Sequence, residues 1–140
     1  MSSFIQQNFV PLEINIKEIP AGFKRFDVLW TPTVVILDES GKERFRIEGY
    51  MPKDEFAAHL TMGLARVAFM NKKWTDAEKF YDEVVQKYPA TSLAPAAVYW
   101  LGVSRYKKTN DHHVLGKIVT ELKEKYPDSP WNKQAEPWAA

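Results

Sequence analysis

A chain of 140 residues with 45% hydrophobic residues is long enough to fold and to bury a core. Its formal net charge of +1 is too small for the basic surface that drives nonspecific nucleic-acid binding, so no nucleic-acid partner is expected. The chain contains no cysteine, and therefore supplies neither the thiolate nor the second thiol that dithiol exchange requires.

The chain as written shows no signal that would direct it into or across a membrane. No run approaches the ~18 apolar residues of a membrane span, and residues 1–7 lack the basic and apolar regions of a signal peptide. A cytoplasmic location is therefore expected for the chain as written, and a missing upstream segment would leave the location open.

Residues 9–50 carry β-type patterns and predict about three strands. Apolar side chains alternate with other residues over residues 10–16, which predicts a first strand with Pro11 near an edge. Residues 21–28 follow Pro20, a residue favoured in a first helical turn, and predict a short helix. The β-branched run at residues 34–37 predicts a second strand that is covered on both faces and therefore central.

A hairpin and a long helix follow. Residues 38–42 have the composition of a hairpin loop, and Phe45 and Ile47 then alternate with charged residues, which predicts a third, antiparallel strand. Residues 49–52 interrupt the pattern, and apolar residues recur at helical spacing from Phe56 onward.

The second half of the chain contains an internal repeat. Tyr88-Pro89 recurs as Tyr126-Pro127, and Leu64-Ala65 recurs at nearly the same offset as Leu101-Gly102. The period is slightly longer than the about 34 residues of a tetratricopeptide motif, and it predicts stacked helical hairpins. A capping-box pattern at residues 75–78 predicts the start of one helix, and Asp111 is available to cap another.

The order of strand, short helix, Thr31-Pro32-Thr33 strand, hairpin, Gly49-Tyr50 and closing helix resembles the C-terminal part of the thioredoxin family over about residues 4–60. The resemblance implies a cis Thr31–Pro32 bond. The family's first βα unit, with its Cys-x-x-Cys motif, has no counterpart here, although residues 2–8 resemble the tail of that unit's helix. This suggests that Met1 is an internal methionine of a longer product.

In the family, the strand without a counterpart lies in the middle of the sheet. Its absence would leave a gap between residues 10–16 and residues 34–37. Either these two segments pair directly, or another chain fills the gap, which would make the protein a homo-oligomer such as a homodimer.

Residues 88–102 are similar to the repeats of bacterial envelope tetratricopeptide proteins of the outer-membrane-assembly and Tol-associated type, and the similarity extends over about residues 62–136. Those repeats bind proteins, so the resemblance implies a protein or peptide partner.

Five residues are candidates for partner binding: Trp30, Thr31, Tyr99, Trp100 and Tyr106. Trp30 and Thr31 lie where the thioredoxin family binds extended peptides, and packing against the absent helix is the alternative for Trp30. The other three residues either line a groove or pack between helices. No catalytic, cofactor-binding or metal-binding residue is predicted, since the adjacent His112 and His113 point about 100° apart on a helix.

The sequence thus predicts an α+β or α/β protein in which a truncated thioredoxin-like domain (residues 1–60) precedes tetratricopeptide-like helical repeats (residues 61–140). We expect a noncatalytic, redox-inactive module for protein–protein interaction. The alternative is a cysteine-free fragment of a thiol-disulfide oxidoreductase whose active-site segment lies upstream of Met1.

Overall fold

The computed structural model describes residues 1–15 and 17–139, which divide into two compact units, residues 1–51 and residues 52–140. The first unit contains the helices α1 (Ser2–Asn8) and α2 (Pro20–Arg25) and the strands β1 (Thr33–Leu37) and β2 (Glu43–Glu48). The second unit is helical. The fold class is therefore the predicted one, with a sheet smaller than expected.

The two strands form an antiparallel hairpin, as predicted. Val34 lies opposite Ile47 and Ile36 opposite Phe45, so one face of the hairpin is apolar, and Ile36 and Ile47 are buried. The register shifts between Ile36 and Leu37, where the strand approaches the turn.

The hairpin turn is organised by Asp38. Its carboxylate accepts hydrogen bonds from the backbone N–H groups of Ser40 and Lys42, from the Ser40 hydroxyl and from the Arg44 guanidinium, at 2.6–3.0 Å. These hydrogen bonds, with that of the Ser40 hydroxyl the largest, hold the pKa of the Asp38 carboxyl well below its usual range. Gly41 adopts a φ of 82°, a conformation that favours glycine.

The predicted first strand is wrong for residues 10–15, which form no strand, and Ile16 lies outside the described residues. Val10 and Leu12 are 97% and 83% exposed. Alternating side chains make a strand only when a neighbour supplies backbone partners, and the described residues provide none for this segment.

Strand β1 also has fewer strand neighbours than expected. It was expected at the centre of the sheet, but β2 is its only strand neighbour among the described residues.

The predicted short helix is present over Pro20–Arg25 and ends before Asp27, which has a φ of 50°. The Arg46 guanidinium donates hydrogen bonds to the carbonyl oxygens of Phe26 and Asp27 and so ties this helix end to β2.

The second unit is built from helical hairpins. Its helices are α3 (Lys53–Met70), α4 (Trp74–Lys87), α5 (Ala94–Thr109), α6 (His113–Lys125) and α7 (Trp131–Ala135), followed by a 3-10 helix (Glu136–Trp138). Consecutive helices pack against each other from α3 to α7, which is the predicted arrangement of stacked hairpins.

Small residues allow these helices to approach closely. Ala65 of α3, Ala77 of α4 and Ala97 of α5 are fully buried. Gly102 of α5 lies so close to α6 that a Cβ atom there would be 2.1 Å from Cγ1 of Ile118. The repeated small residue of the sequence therefore marks helix contacts.

The predicted capping box is wrong. Helix α4 begins at Trp74, so Thr75 lies inside the first turn, and no side chain caps the helix. Asp111, the cap expected for α6, lies one residue before the N-cap His112, and its Oδ1 accepts a hydrogen bond of 3.0 Å from the backbone N–H of His113. In the described part of the chain, no helix combines the length and the apolar character needed to cross a membrane.

Candidate functional site

The loop before β1 holds the first predicted partner-binding residues, Trp30 and Thr31. The Thr31–Pro32 peptide bond is cis. The Thr33 hydroxyl donates a hydrogen bond of 2.6 Å to the carbonyl oxygen of Trp30, and the Gly49 N–H donates one of 2.7 Å to that of Pro32. Trp30 itself is 70% exposed. The loop therefore presents a large apolar ring to solvent from a backbone that is hydrogen-bonded on both sides of the cis bond.

Trp30 is one of several exposed apolar residues in the first unit. The large hydrophobic residues that are at least half exposed there are Val10, Leu12, Ile19, Leu29, Trp30 and Tyr50. Scattered exposed apolar residues are ordinary, but this set is a high density for a unit as small as residues 1–51 if its surface contacts only water.

In the second unit, aromatic side chains from α3, α4, α5, α7 and the 3-10 helix contact one another in a continuous series, which we call the aromatic cluster. Its members are Phe69, Trp74, Tyr99, Trp100, Trp131 and Trp138. All six are intermediate in exposure, so each ring has one part in protein contact and another part in solvent.

The cluster has two linked halves. The Phe69 ring lies 5.1 Å from the Trp74 ring and 5.4 Å from the Trp100 ring, centroid to centroid. Tyr99, 5.3 Å from Trp100, continues the series to Trp131 at 4.9 Å and Trp138 at 5.1 Å. These separations and tilted or edge-on geometries are typical of stabilising aromatic pairs.

Of the three aromatic residues predicted for this unit, Tyr99 and Trp100 lie in the aromatic cluster. Tyr106 does not: its ring contacts His112 at 5.2 Å, at the turn between α5 and α6. Tyr99 and Trp100 thus pack against rings of other helices, and each keeps part of its surface exposed.

Arg66 brings a positive charge to the aromatic cluster. Its guanidinium lies 5.4 Å from the centroid of the Trp100 ring, a cation–π arrangement. Arg66 also contacts the phenol of the buried Tyr81. Burial raises the pKa of Tyr81 to about 12, and the nearby guanidinium offsets part of that rise. None of the ion pairs among the described residues includes Arg66, so its charge is not matched by a carboxylate there.

The described residues show no arrangement suited to metal chemistry. Within residues 1–15 and 17–139, no three or more His, Asp or Glu side chains are grouped as metal ligands would be. His113 instead forms a local pair with Asp111, its Nδ1 2.9 Å from Oδ1. Hydrogen bonds from the backbone and the ring of His113 lower the pKa of the Asp111 carboxyl.

Sequence reasoning did not assign four members of the aromatic cluster, Phe69, Trp74, Trp131 and Trp138, to a binding surface, nor Arg66. Phe69 follows Leu64-Ala65 in the internal repeat as Tyr106 follows Leu101-Gly102, and Trp131 and Trp138 are distant from Tyr99 in the chain. The helical half contains four of the five tryptophans of the chain, and this enrichment was the feature of the sequence that could have indicated an aromatic surface there.

Two protein-family models match parts of the chain. Residues 1–63 match the family model of a thioredoxin-like domain, and residues 58–91 match that of the tetratricopeptide repeat. The chain therefore carries a thioredoxin-like segment followed by a tetratricopeptide repeat, as predicted. The second helical hairpin, α5 and α6, lies beyond the repeat match. Comparisons with curated proteins and with solved structures find no match for the chain.

Proposed function

We propose that this chain is a noncatalytic protein-binding module whose helical unit contacts its partner through the aromatic cluster. Tetratricopeptide repeats point to a protein partner. The single observation that carries the proposal is the continuity of six partly exposed rings across α3, α4, α5, α7 and the 3-10 helix. Tryptophan and tyrosine are the residues most enriched where binding energy concentrates, because they bury large apolar areas at a low cost in side-chain entropy.

The test compares three versions of the full chain: wild type, Trp100→Ala and Gln86→Ala. Gln86 is exposed near the end of α4, its side chain bonds only to Asp82 of the same helix among the described residues, and it lies outside the aromatic cluster, which makes it the control. Proteins captured from a lysate are identified by quantitative mass spectrometry, and the affinity of each enriched protein is then measured by calorimetry. We expect Trp100→Ala to weaken binding at least about thirtyfold, and Gln86→Ala to leave it unchanged.

Circular dichroism must show that Trp100→Ala still folds. If a folded Trp100→Ala variant binds the captured proteins as wild type does, the aromatic cluster is not the binding surface. Capture that persists in all three versions would place the binding site elsewhere on the chain.

We also propose that the chain associates with itself through the first unit. The support is the density of exposed apolar residues there, together with a sheet of only two strands among the described residues. An isolated two-stranded hairpin is only marginally stable in water. Association with a second copy would stabilise such a sheet by adding strands or a packed surface to it.

The proposed lack of redox activity rests on chemistry alone, because without a thiol no mixed disulfide can form. The isolated chain is expected to show no reduction of insulin disulfides above background.

A second candidate function is favoured by the thioredoxin-like match: the chain would be part of a thiol-disulfide oxidoreductase with its cysteines upstream. The genomic DNA in frame before Met1 decides, since a Cys-x-x-Cys pattern supports this candidate and a nearby stop codon excludes it.

A further inference from the structure

Among residues 1–15 and 17–139, strand β1 has one edge paired with β2 and one edge with no strand partner. Every residue of Thr33–Leu37 has a partner on β2. None of the other backbone hydrogen bonds among residues 1–15 and 17–139 joins these five residues to a further strand. The opposite edge of β1 is thus a row of N–H and C=O groups able to pair with an added strand.

Residues 9–14 have strand character and no strand partner in the described part of the chain. Phe9 is extended, with φ −135° and ψ 161°, and residues 10–14 take part in none of the backbone hydrogen bonds of the described residues. Val10 and Leu12 are almost fully exposed, whereas Ile14 lies against Gly22 and fastens the end of the segment to α2. The segment therefore contacts α2 at Ile14, whereas residues 10–13 make no backbone hydrogen bond with the described residues.

We infer that two copies of this chain associate reciprocally, residues 10–14 of each copy adding a strand to the open edge of β1 in the other, an inference that rests on the self-association proposed above. Each copy offers one open edge and one unpaired segment, so a two-fold pair satisfies both at once. The exchange also buries Val10 and Leu12, and a net charge of +1 opposes association only weakly.

The position of Pro11 fixes which side of the added segment faces β1. Successive N–H groups along a strand point to opposite edges, so those of residues 10, 12 and 14 share one edge and that of residue 13 lies on the other, with Pro11. Pro11 has no N–H and is tolerated only where its edge faces solvent. The N–H of Leu12 must therefore be directed at β1 of the partner copy.

This geometry gives a matched set of variants of the full chain: Leu12→Pro, Leu12→Ala and Glu13→Pro. In the single chain, none of the three removes a backbone hydrogen bond between described residues. Dimerisation is measured by sedimentation equilibrium from about 1 to about 100 μM, a range that brackets micromolar affinity. Amide hydrogen exchange of residues 10–14 is followed across the same range.

We expect wild type to dimerise and Glu13→Pro to dimerise equally well. Leu12→Ala should weaken the dimer by its lost apolar contact, and Leu12→Pro should weaken it at least tenfold further. Exchange at Leu12 and Ile14 should slow as the dimer forms. A wild type that stays monomeric throughout overturns the inference and leaves the open edge to a strand from another protein.

The inference is equally overturned if Leu12→Pro dimerises as Leu12→Ala does, or if Glu13→Pro alone dissociates. Trp100→Ala, measured in parallel, should dimerise like wild type. Because Trp100 lies in the other unit, loss of partner binding and loss of dimerisation are separate results.

Discussion

The phenol of Tyr126 donates a hydrogen bond of 2.7 Å to the backbone carbonyl oxygen of Pro89. Tyr126 ends the second helical hairpin as Tyr88 ends the first, at the equivalent position of the repeat. The repeated Tyr-Pro pair therefore has a structural role, because the tyrosine of the second pair is hydrogen-bonded to the proline of the first pair. Burial raises the pKa of the Tyr126 phenol, consistent with a hydroxyl that is partly withdrawn from water.

Removing this hydroxyl should cost stability, whereas removing its counterpart should not. We expect Tyr126→Phe to lower the free energy of unfolding by about 0.5–1.5 kcal/mol, the usual net value of one hydrogen bond. Tyr88→Phe is the control, since its phenol makes no hydrogen bond within the described residues, and its effect should be within about 0.5 kcal/mol. Urea unfolding followed by circular dichroism measures both. Equal losses would mean that the bond to Pro89 does not stabilise the stacked hairpins.

The turn inside each helical hairpin contains one residue in the left-handed conformation. Lys72, two residues after the end of α3, has a φ of 60°, and Asn110, directly after the end of α5, has a φ of 58°. This left-handed conformation is costly for most residues and easier for asparagine. Lys72→Asn should therefore stabilise the protein by about 0.5–1 kcal/mol, and Asn110→Lys should destabilise it similarly. Thermal unfolding of both variants provides the measurement, and shifts of the same sign would contradict the argument.

Gly102 of α5 lies directly against Ile118 of α6. Since a Cβ at residue 102 would meet both Cγ1 and Cδ1 of Ile118 at 2.1–2.2 Å, Gly102→Ala should cost about 1–3 kcal/mol of stability. Ile118→Ala removes the obstructing atoms. In that background the cost of Gly102→Ala should shrink by more than about 1 kcal/mol, a coupling that a double-mutant cycle measures. Strict additivity of the two substitutions would show that the cost arises elsewhere.

The helical half could be predicted from the sequence because its determinants are local or periodic. The spacing of apolar residues marks α3 to α6, and the repeat marks how the hairpins stack. The capping-box prediction failed by two residues, since the helix begins at Trp74, whose ring packs on Phe69, and its N-cap is Lys73 and not Thr75. The start of α4 therefore includes an aromatic side chain that packs on α3, and the polar residues after it do not cap the helix.

The first half could be predicted less well because strands depend on partners that are distant in sequence. Residues 33–48 formed the expected hairpin, whose two strands are joined by a short turn. Residues 10–15 have the alternation of a strand but no described neighbour, so their pattern could not reveal their conformation. The aromatic cluster has the same limitation: Tyr99 and Trp100 were visible as candidates, whereas their contacts with Trp131 and Trp138 depend on the fold.

Asp38 should make the hairpin of the first unit sensitive to acid. Its pKa is depressed in the folded protein, so its hydrogen bonds contribute stability above the ordinary carboxyl pKa, and this contribution is lost as the pH falls toward the folded value. The hairpin of wild type should therefore weaken steadily below about pH 4, where an unperturbed carboxyl gains its proton. Asp38→Asn should be less stable at neutral pH and should lose most of this acid dependence, because the amide cannot titrate.

The control for the Asp38 prediction is Glu39→Gln, which removes the carboxylate of an exposed neighbour whose side chain takes no part in the hydrogen bonds that organise the turn. Its acid dependence should match that of wild type. Amide NMR signals of β1 and β2, recorded in urea from neutral to acid pH, report hairpin stability directly. If the hairpin of Asp38→Asn is as sensitive to acid as that of wild type, other carboxyl groups cause the sensitivity. The reason is that Asp38→Asn removes the one carboxylate whose depressed pKa is proposed to cause it.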